Sequence, residues 1–212
     1  MNDFSQWGEQ THILQYFGPR TGRFLDLGAH DGVHLSNTRA LALLGWQGVL
    51  VEADPERFVQ LLANCRAMPT MTPILGAIAP MAELAQFSDI GSGCGALDSY
   101  AAPYTPEQMA RFRSTYGVAT FAPGELARYA GTEYQMVSID IEGADPAVLE
   151  SIGCLMASCE LLVVEDAKPG CDLDPLYRGR LHSAAARYGL TRVLWSSTIP
   201  GERNANTILV RG

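Results

Sequence analysis

Four carboxylates fall where apolar runs end: Asp26 in Arg23-Phe24-Leu25-Asp26-Leu27, Glu52 after Val49-Leu50-Val51, Asp140 after Met136-Val137-Ser138-Ile139, and Glu165 after Leu161-Leu162-Val163-Val164. Acidic residues are common in loops, but that alone does not explain their recurrence at one end of successive runs. If the runs are strands of an open parallel sheet, these residues share its carboxyl edge, where such sheets bind ligands. Carboxylates gathered there can accept bonds from ribose hydroxyls, face cationic groups, or take a proton from a reacting hydroxyl.

The loop Asp26-Leu27-Gly28-Ala29-His30-Asp31-Gly32 follows the first run. Gly28 permits a tight turn and close approach of a ligand, and Gly32 permits close helix–strand packing. A helix predicted over 32–44, closed by Gly45, would turn its first N–H groups toward an anionic ligand group. Glu52 lies 20 residues beyond Gly32, at the end of the second run. A carboxylate there accepts both ribose hydroxyls, a role shared by NAD and S-adenosylmethionine sites. A dinucleotide site wants GxGxxG, whereas here His30 stands at the middle glycine and Asp31 puts negative charge where a pyrophosphate belongs. An acidic loop suits a sulfonium and an ammonium, so the expected cofactor is S-adenosylmethionine, with Asp26 facing its ammonium. An NAD(P)-dependent oxidoreductase is the rival enzyme, and a catalytically inactive nucleoside-cofactor-binding protein is the rival without chemistry.

The second dense motif is Ile139-Asp140-Ile141-Glu142-Gly143. Together with Asp26 to Gly32 and Val51-Glu52-Ala53-Asp54-Pro55, it makes the sequence resemble the FkbM-type class I methyltransferases. Leu161 to Glu165, Asn206-Thr207-Ile208-Leu209-Val210 and the lead-in Ser5-Gln6-Trp7-Gly8-Glu9 extend the resemblance over nearly the whole chain, most weakly over 81–133. It implies methyl transfer to a hydroxyl on a sugar or another natural-product small molecule. It also implies a doubly wound, Rossmann-like α/β fold of seven strands, six parallel and one antiparallel in a C-terminal hairpin. The candidate cofactor contacts are Asp26, Gly28, Ala29, His30, Asp31, Gly32, Glu52, Ala53, Ala77 and Asp140. Asp140, Glu142 and Glu165 are the candidates for the base. The same carboxylates are oxygen ligands of the kind Mg²⁺ or Ca²⁺ prefers.

Other motifs carry less. His30 and His34 have the spacing of a metal pair, but no third ligand accompanies them. Gly91 to Gly95 lacks the Lys-Ser/Thr of a phosphate loop and reads as a lid segment, while His182 reads as a partly exposed helix residue. Tyr100, Tyr104 and Trp195 are aromatics that line an acceptor pocket or pack in a core.

The positioning elements alternate strand and helix, the pattern of βαβ units. An amphipathic helix is expected over 4–17, stopped at Gly18-Pro19. Asp54 should cap a helix opening at Pro55, with Phe58, Leu61 and Leu62 on one face, and a weak third strand should cover 73–78. Residues 81–133 are the least regular, with helices expected over 105–116 and 123–129. After the strand at 136–140, Asp145 should cap a helix at Pro146; the strand at 161–165 precedes a helix over 176–188, and 192–196 and 207–210 should form the closing hairpin. No repeat or linker divides residues 1–212, which read as one domain whose 81–133 segment shapes the acceptor side.

Hydrophobic residues at 47% and charged residues at 18% describe a globular chain rather than a disordered one. A net charge of −8, from 15 Lys and Arg against 23 Asp and Glu, argues against nucleic acid as the main partner, because phosphate binders want a basic stripe. No apolar run spans a bilayer, and the polar start is not a signal peptide. Five cysteines without a CxxC pair read as reduced thiols of a cytoplasmic protein.

Overall fold

The apolar runs become strands because both sheet faces are covered, so inward positions exist on either side. The computed structural model describes residues 2–89, 95–97, 114–167, 175–197 and 204–212. In chain order the strands are β1 (Arg23–Leu27), β2 (Gln47–Glu52), β3 (Met71–Leu75), β4 (Ala77–Ile78), β5 (Leu84–Asp89), β6 (Gly95–Leu97), β7 (Ser114–Phe121), β8 (Met136–Ile139), β9 (Leu161–Ala167), β10 (Leu190–Ser196) and β11 (Asn204–Arg211). The α-helices are α1 (Glu9–Phe17), α2 (Arg39–Leu43), α3 (Pro55–Cys65), α4 (Pro123–Ala130), α5 (Asp145–Ser151) and α6 (Pro175–Arg187).

The main sheet has seven strands in the order β10-β11-β9-β8-β1-β2-β3. β11 runs antiparallel to β9 and β10, and the other six strands share one direction, as expected. Alternation along β1 sends Leu25 and Leu27 to one face and Phe24 and Asp26 to the other. The first face packs with Val137, Ile139, Leu162 and Val164 against α5 and α6. The second packs with Met136, Val163 and Ile208 against Ile13 of α1, Leu41 of α2 and Leu61 of α3. Each such fully buried aliphatic side chain contributes about 1.5–3 kcal/mol.

Several expectations need correction. The helix expected over 32–44 exists only as α2. Gly32 and Leu35 have φ of 71° and 55°, and the Ser36 hydroxyl accepts the N–H groups of Thr38 and Arg39, so the helical turn begins only after it. The helix over 4–17 begins at Glu9, and the described residues 2–8 form an irregular lead-in. The third correction concerns 81–133, whose described part, besides the expected α4, supplies β5, β6 and β7 to a second sheet in the order β4-β7-β5-β6 with Ala85, Phe87, Leu97 and Val118 in its small core. The expected strand over 73–78 is divided: β3 closes the main sheet, and β4 joins this second one. Of the helix expected over 105–116, residues 114–116 belong to β7 and the rest lie outside the described residues. Gly91 to Cys94, Tyr100 and Tyr104 also lie outside them. No described helix is long and apolar enough to cross a membrane.

Candidate functional site

The loop leaving β1 is shaped by bonds to its neighbours. The N–H groups of Gly28 and Ala29 both donate to the Val51 carbonyl at 3.0 Å. A Cβ on Gly28, whose φ is 85°, would lie 1.8 Å from the Asp140 carbonyl oxygen, so only glycine lets the loop pass β8. Asp31 Oδ1 accepts from Val33 N–H and His34 N–H at 2.8 and 2.7 Å, folding the chain back, while Asn64 of α3 donates to the Asp31 carbonyl at 2.9 Å. Further on, Thr38 Oγ1 donates to Asp26 Oδ2 at 2.6 Å. Burial, only partly offset by that bond and reinforced by Glu52, pushes Asp26 up to about 6.

Glu52 is held by both carboxylate oxygens. Oε2 accepts from His30 N–H and Oε1 from Asp54 N–H, each at 2.7 Å. Burial nevertheless holds its pKa above the usual range. Each oxygen keeps lone-pair capacity for a further donor, so the group is oriented without being exhausted. Asp54 Oδ1 accepts from Glu56 N–H and Arg57 N–H at 2.7 and 3.1 Å, the expected cap of α3. Phe58 is half-buried and Leu61 buried on that helix, but Leu62 is 45% exposed and leaves the expected apolar face.

The turn leaving β8 is organised from behind. Glu142 and Gly143 have φ of 54° and 101°, and the fully buried Asp145 carboxylate gathers the turn: it accepts from Gly143 N–H at 3.1 Å, Ile141 N–H at 3.4 Å and Tyr177 Oη–H at 3.1 Å. Asp145 is therefore the clasp of this turn and not the cap expected for α5, whose start makes no side-chain capping bond. Burial pushes Asp145 up to about 6 against those three donors. Asp140 is raised well above the carboxylate range by burial and by the nearby Glu165, Glu142, Asp145 and Asp26.

These pieces meet in a cavity of about 220 Å³ at the carboxyl edge of the main sheet. Asp26, Gly28, Ala29, His30, Glu52, Ala53, Ala77, Asp140, Glu142 and Glu165 all line it. Asp31 and Gly32 do not: Asp31 shapes the loop, and Gly32 is buried, where an added Cβ would meet Leu61 at 2.6 Å. Sequence reasoning missed Asn37, Ser138, Phe87, Leu97 and Ile78, which also line the cavity, and gave Gln6 no role there beyond the lead-in. Only the run Ser36-Asn37-Thr38, polar residues that compete for backbone bonds, signalled an interruption in the expected helix.

Among the described residues no group of three or more His, Cys, Asp or Glu is arranged to hold a metal ion. His30 and His34 are not on one helical face; their rings lie 6.2 Å apart. Trp195 stacks on His12 at 5.0 Å, beside the α1 core and outside the cavity lining. His182 is half-buried and bonds Asp166 at 2.7 Å. Cys65, Cys154 and Cys159 are free thiols, and Cys94 and Cys171 lie outside the described residues.

No family model matches this sequence, and no curated protein matches it. Solved structures do resemble the fold. The N-terminal domain of EvdMO1 with S-adenosylhomocysteine bound superposes with a TM-score of 0.53 at 13% identity, over 98% of this chain and 82% of that one. Fibrillarin of Aeropyrum pernix, with natively bound S-adenosyl-L-methionine, gives 0.52 at 13% identity, over 89% of this chain and 66% of that one. Trm5b of Pyrococcus abyssi gives 0.52 at 13% identity over 94% of this chain, which spans 48% of Trm5b. The fold is that of the class I methyltransferases.

Proposed function

We propose that this chain is an S-adenosylmethionine-dependent methyltransferase of the FkbM type that methylates a hydroxyl on a sugar or another natural-product small molecule in the cytoplasm. The carrying observation is Glu52, held by two backbone N–H groups at 2.7 Å, facing a cavity whose described lining holds six carboxylates and no Lys or Arg. That donor set fits a ribose-bearing cationic cofactor and repels a pyrophosphate, which disfavours NAD.

When bound, the cofactor supplies a methyl group made electrophilic by a positively charged sulfur. Glu52 accepts the ribose hydroxyls, and Asp26 faces the ammonium. Asp140, with its raised proton affinity, takes the proton from the acceptor hydroxyl, with Glu142 and Glu165 beside it in the cavity. Phe87, Leu97 and Ile78 form an apolar wall that excludes water and aligns the acceptor, and alignment supplies much of the rate of a displacement.

Calorimetric titration with S-adenosylmethionine, S-adenosylhomocysteine and NAD tests this. Both adenosyl ligands should bind and NAD should not. Glu52→Ala should weaken the adenosyl ligands about 10- to 100-fold, the value of charge-assisted bonds to two hydroxyls. Absence of adenosyl binding to the unsubstituted chain overturns the reading.

A further inference from the structure

The loop at 28–38 contains a residue that neither the motifs nor the proposed chemistry uses. Asn37 is 7% exposed and lines the cavity. Its two neighbours are pinned: Thr38 donates to Asp26 at 2.6 Å, and Ser36 Oγ accepts from Thr38 N–H and Arg39 N–H at 3.3 and 3.0 Å. Its own amide is held by one long bond, Nδ2 to Ser138 Oγ at 3.4 Å, and its Oδ1 is buried with no hydrogen-bond partner. A buried amide oxygen without a donor is unfavourable and rare, so the position is set up for a donor that arrives with a ligand.

Resting on the proposed function, we infer that Asn37 recognises the amino-acid end of the cofactor, its Oδ1 accepting from the ammonium that Asp26 faces. An ammonium carries three donors and no acceptor, so one carboxylate leaves it unsatisfied, the more so because Asp26 Oδ2 is already shared with Thr38. An amide oxygen supplies a further acceptor without another negative charge beside Asp26, Glu52 and Asp140, which burial already raises, with Glu52 adding to the rise at Asp26 and Asp26 to that at Asp140. The weak bond to Ser138 lets the amide turn about its Cβ–Cγ bond to meet the ligand, while the pinned backbone keeps the residue in place. Asn37 thereby selects for ligands that carry the amino-acid group over bare nucleosides.

Calorimetry on the full chain tests this with two probes, S-adenosylhomocysteine and 5′-methylthioadenosine, which lacks the amino-acid group. Asn37→Ala should weaken S-adenosylhomocysteine about 10- to 100-fold and leave 5′-methylthioadenosine unchanged. Asn37→Asp keeps an oxygen in place and should retain most of the S-adenosylhomocysteine affinity. The inference is overturned if Asn37→Ala binds S-adenosylhomocysteine normally, or if both probes weaken equally, which marks a purely structural role. It is also overturned if Asn37→Asp loses as much as Asn37→Ala, since the amide nitrogen would then be the recognising atom. An unsubstituted chain that binds neither probe overturns the proposed function and this inference with it, whereas the other three outcomes leave the proposed function standing.

Discussion

The chain leaves β1 and β8 on adjacent strands and builds two turns that touch where Gly28 passes Asp140, yet it secures them in opposite ways. The β1 loop is tied outward at many points: to Val51 and Glu52 on β2, to Asn64 on α3, and back to Asp26 through Thr38. The β8 turn is drawn inward onto the Asp145 carboxylate, with Tyr177 of α6 behind it. A distributed set of bonds tolerates the loss of one member, whereas a turn gathered on one carboxylate does not. The loop can therefore carry residues with free bonding capacity toward a ligand, and the turn can hold a left-handed Glu142 in place.

The largest effect should come from the point where the two structures touch. Gly28→Ala places a methyl group against the Asp140 backbone at a φ of 85°, and neither strand can move without breaking the sheet. A loss above about 4 kcal/mol is expected, roughly 10 °C or more in Tm for a chain of this size. A drop of only a degree or two in a thermal melt would show that the strands separate freely there.

Next in size is the clasp. Asp145→Ala leaves Gly143 N–H, Ile141 N–H and the Tyr177 hydroxyl without their acceptor in a buried place, at a cost of about 2–4 kcal/mol. Tyr177→Phe removes a single bond and should cost about 1 kcal/mol. Chemical denaturation of the two single variants and the double variant gives the coupling directly. Additive losses would separate Tyr177 from the clasp.

The strands were legible because their signal is local. Arg23-Phe24-Leu25-Asp26-Leu27 is apolar and bounded by glycines, and β1 has the expected bounds. The β1 loop was legible as far as Gly32, but its continuation over 33–38 was not. Val33, Ala40, Leu41 and Leu44 have helical spacing, and the bonds that shape the loop, His30 N–H to Glu52 and Asn64 to the Asp31 carbonyl, reach partners distant in sequence. Asn37 meets Ser138, 101 residues away, only in the folded chain. β5 and β7 escaped notice because each makes sense only when paired with the other, Leu84 opposite Ala119 through Asp89 opposite Ser114. The carboxylates of the site were found because a strand end is a local feature. The bonds that orient them were not.

Asp26→Asn should have a smaller effect on stability, and of opposite sign. The folded pKa of Asp26, about 6, lies above its ordinary value of 3.8, so its contribution to stability is full below about pH 4 and is lost as pH rises through 6. Asparagine keeps an acceptor for Thr38 without a charge, so near pH 7 the variant should be more stable by about 1–2 kcal/mol, or roughly 2–8 °C in Tm. The difference should vanish near pH 4. Binding should move the other way: Asp26→Asn weakens S-adenosylhomocysteine, and the unsubstituted chain loses affinity below about pH 6 as Asp26 takes up a proton. A variant no more stable at pH 7 than at pH 4, relative to the parent, would show that Thr38 already offsets the burial of the charge.

Glu142→Gly should give the smallest change, and it separates the two turns most finely. Glu142 is a non-glycine residue at a φ of 54° that lines the cavity, a position where glycine is less strained by about 1 kcal/mol. Part of that gain is offset by the freedom glycine adds to the unfolded chain, leaving a net stabilisation of about 0.5 kcal/mol, or roughly 1–2 °C in Tm. S-adenosylhomocysteine affinity should hold while methyl transfer, assayed once an acceptor is identified, declines. Stabilisation together with lost turnover would mean that the turn keeps a strained carboxylate for its chemistry. A fall in Tm would instead make Glu142 part of the clasp beside Asp145, and the choice of base would then lie between Asp140 and Glu165.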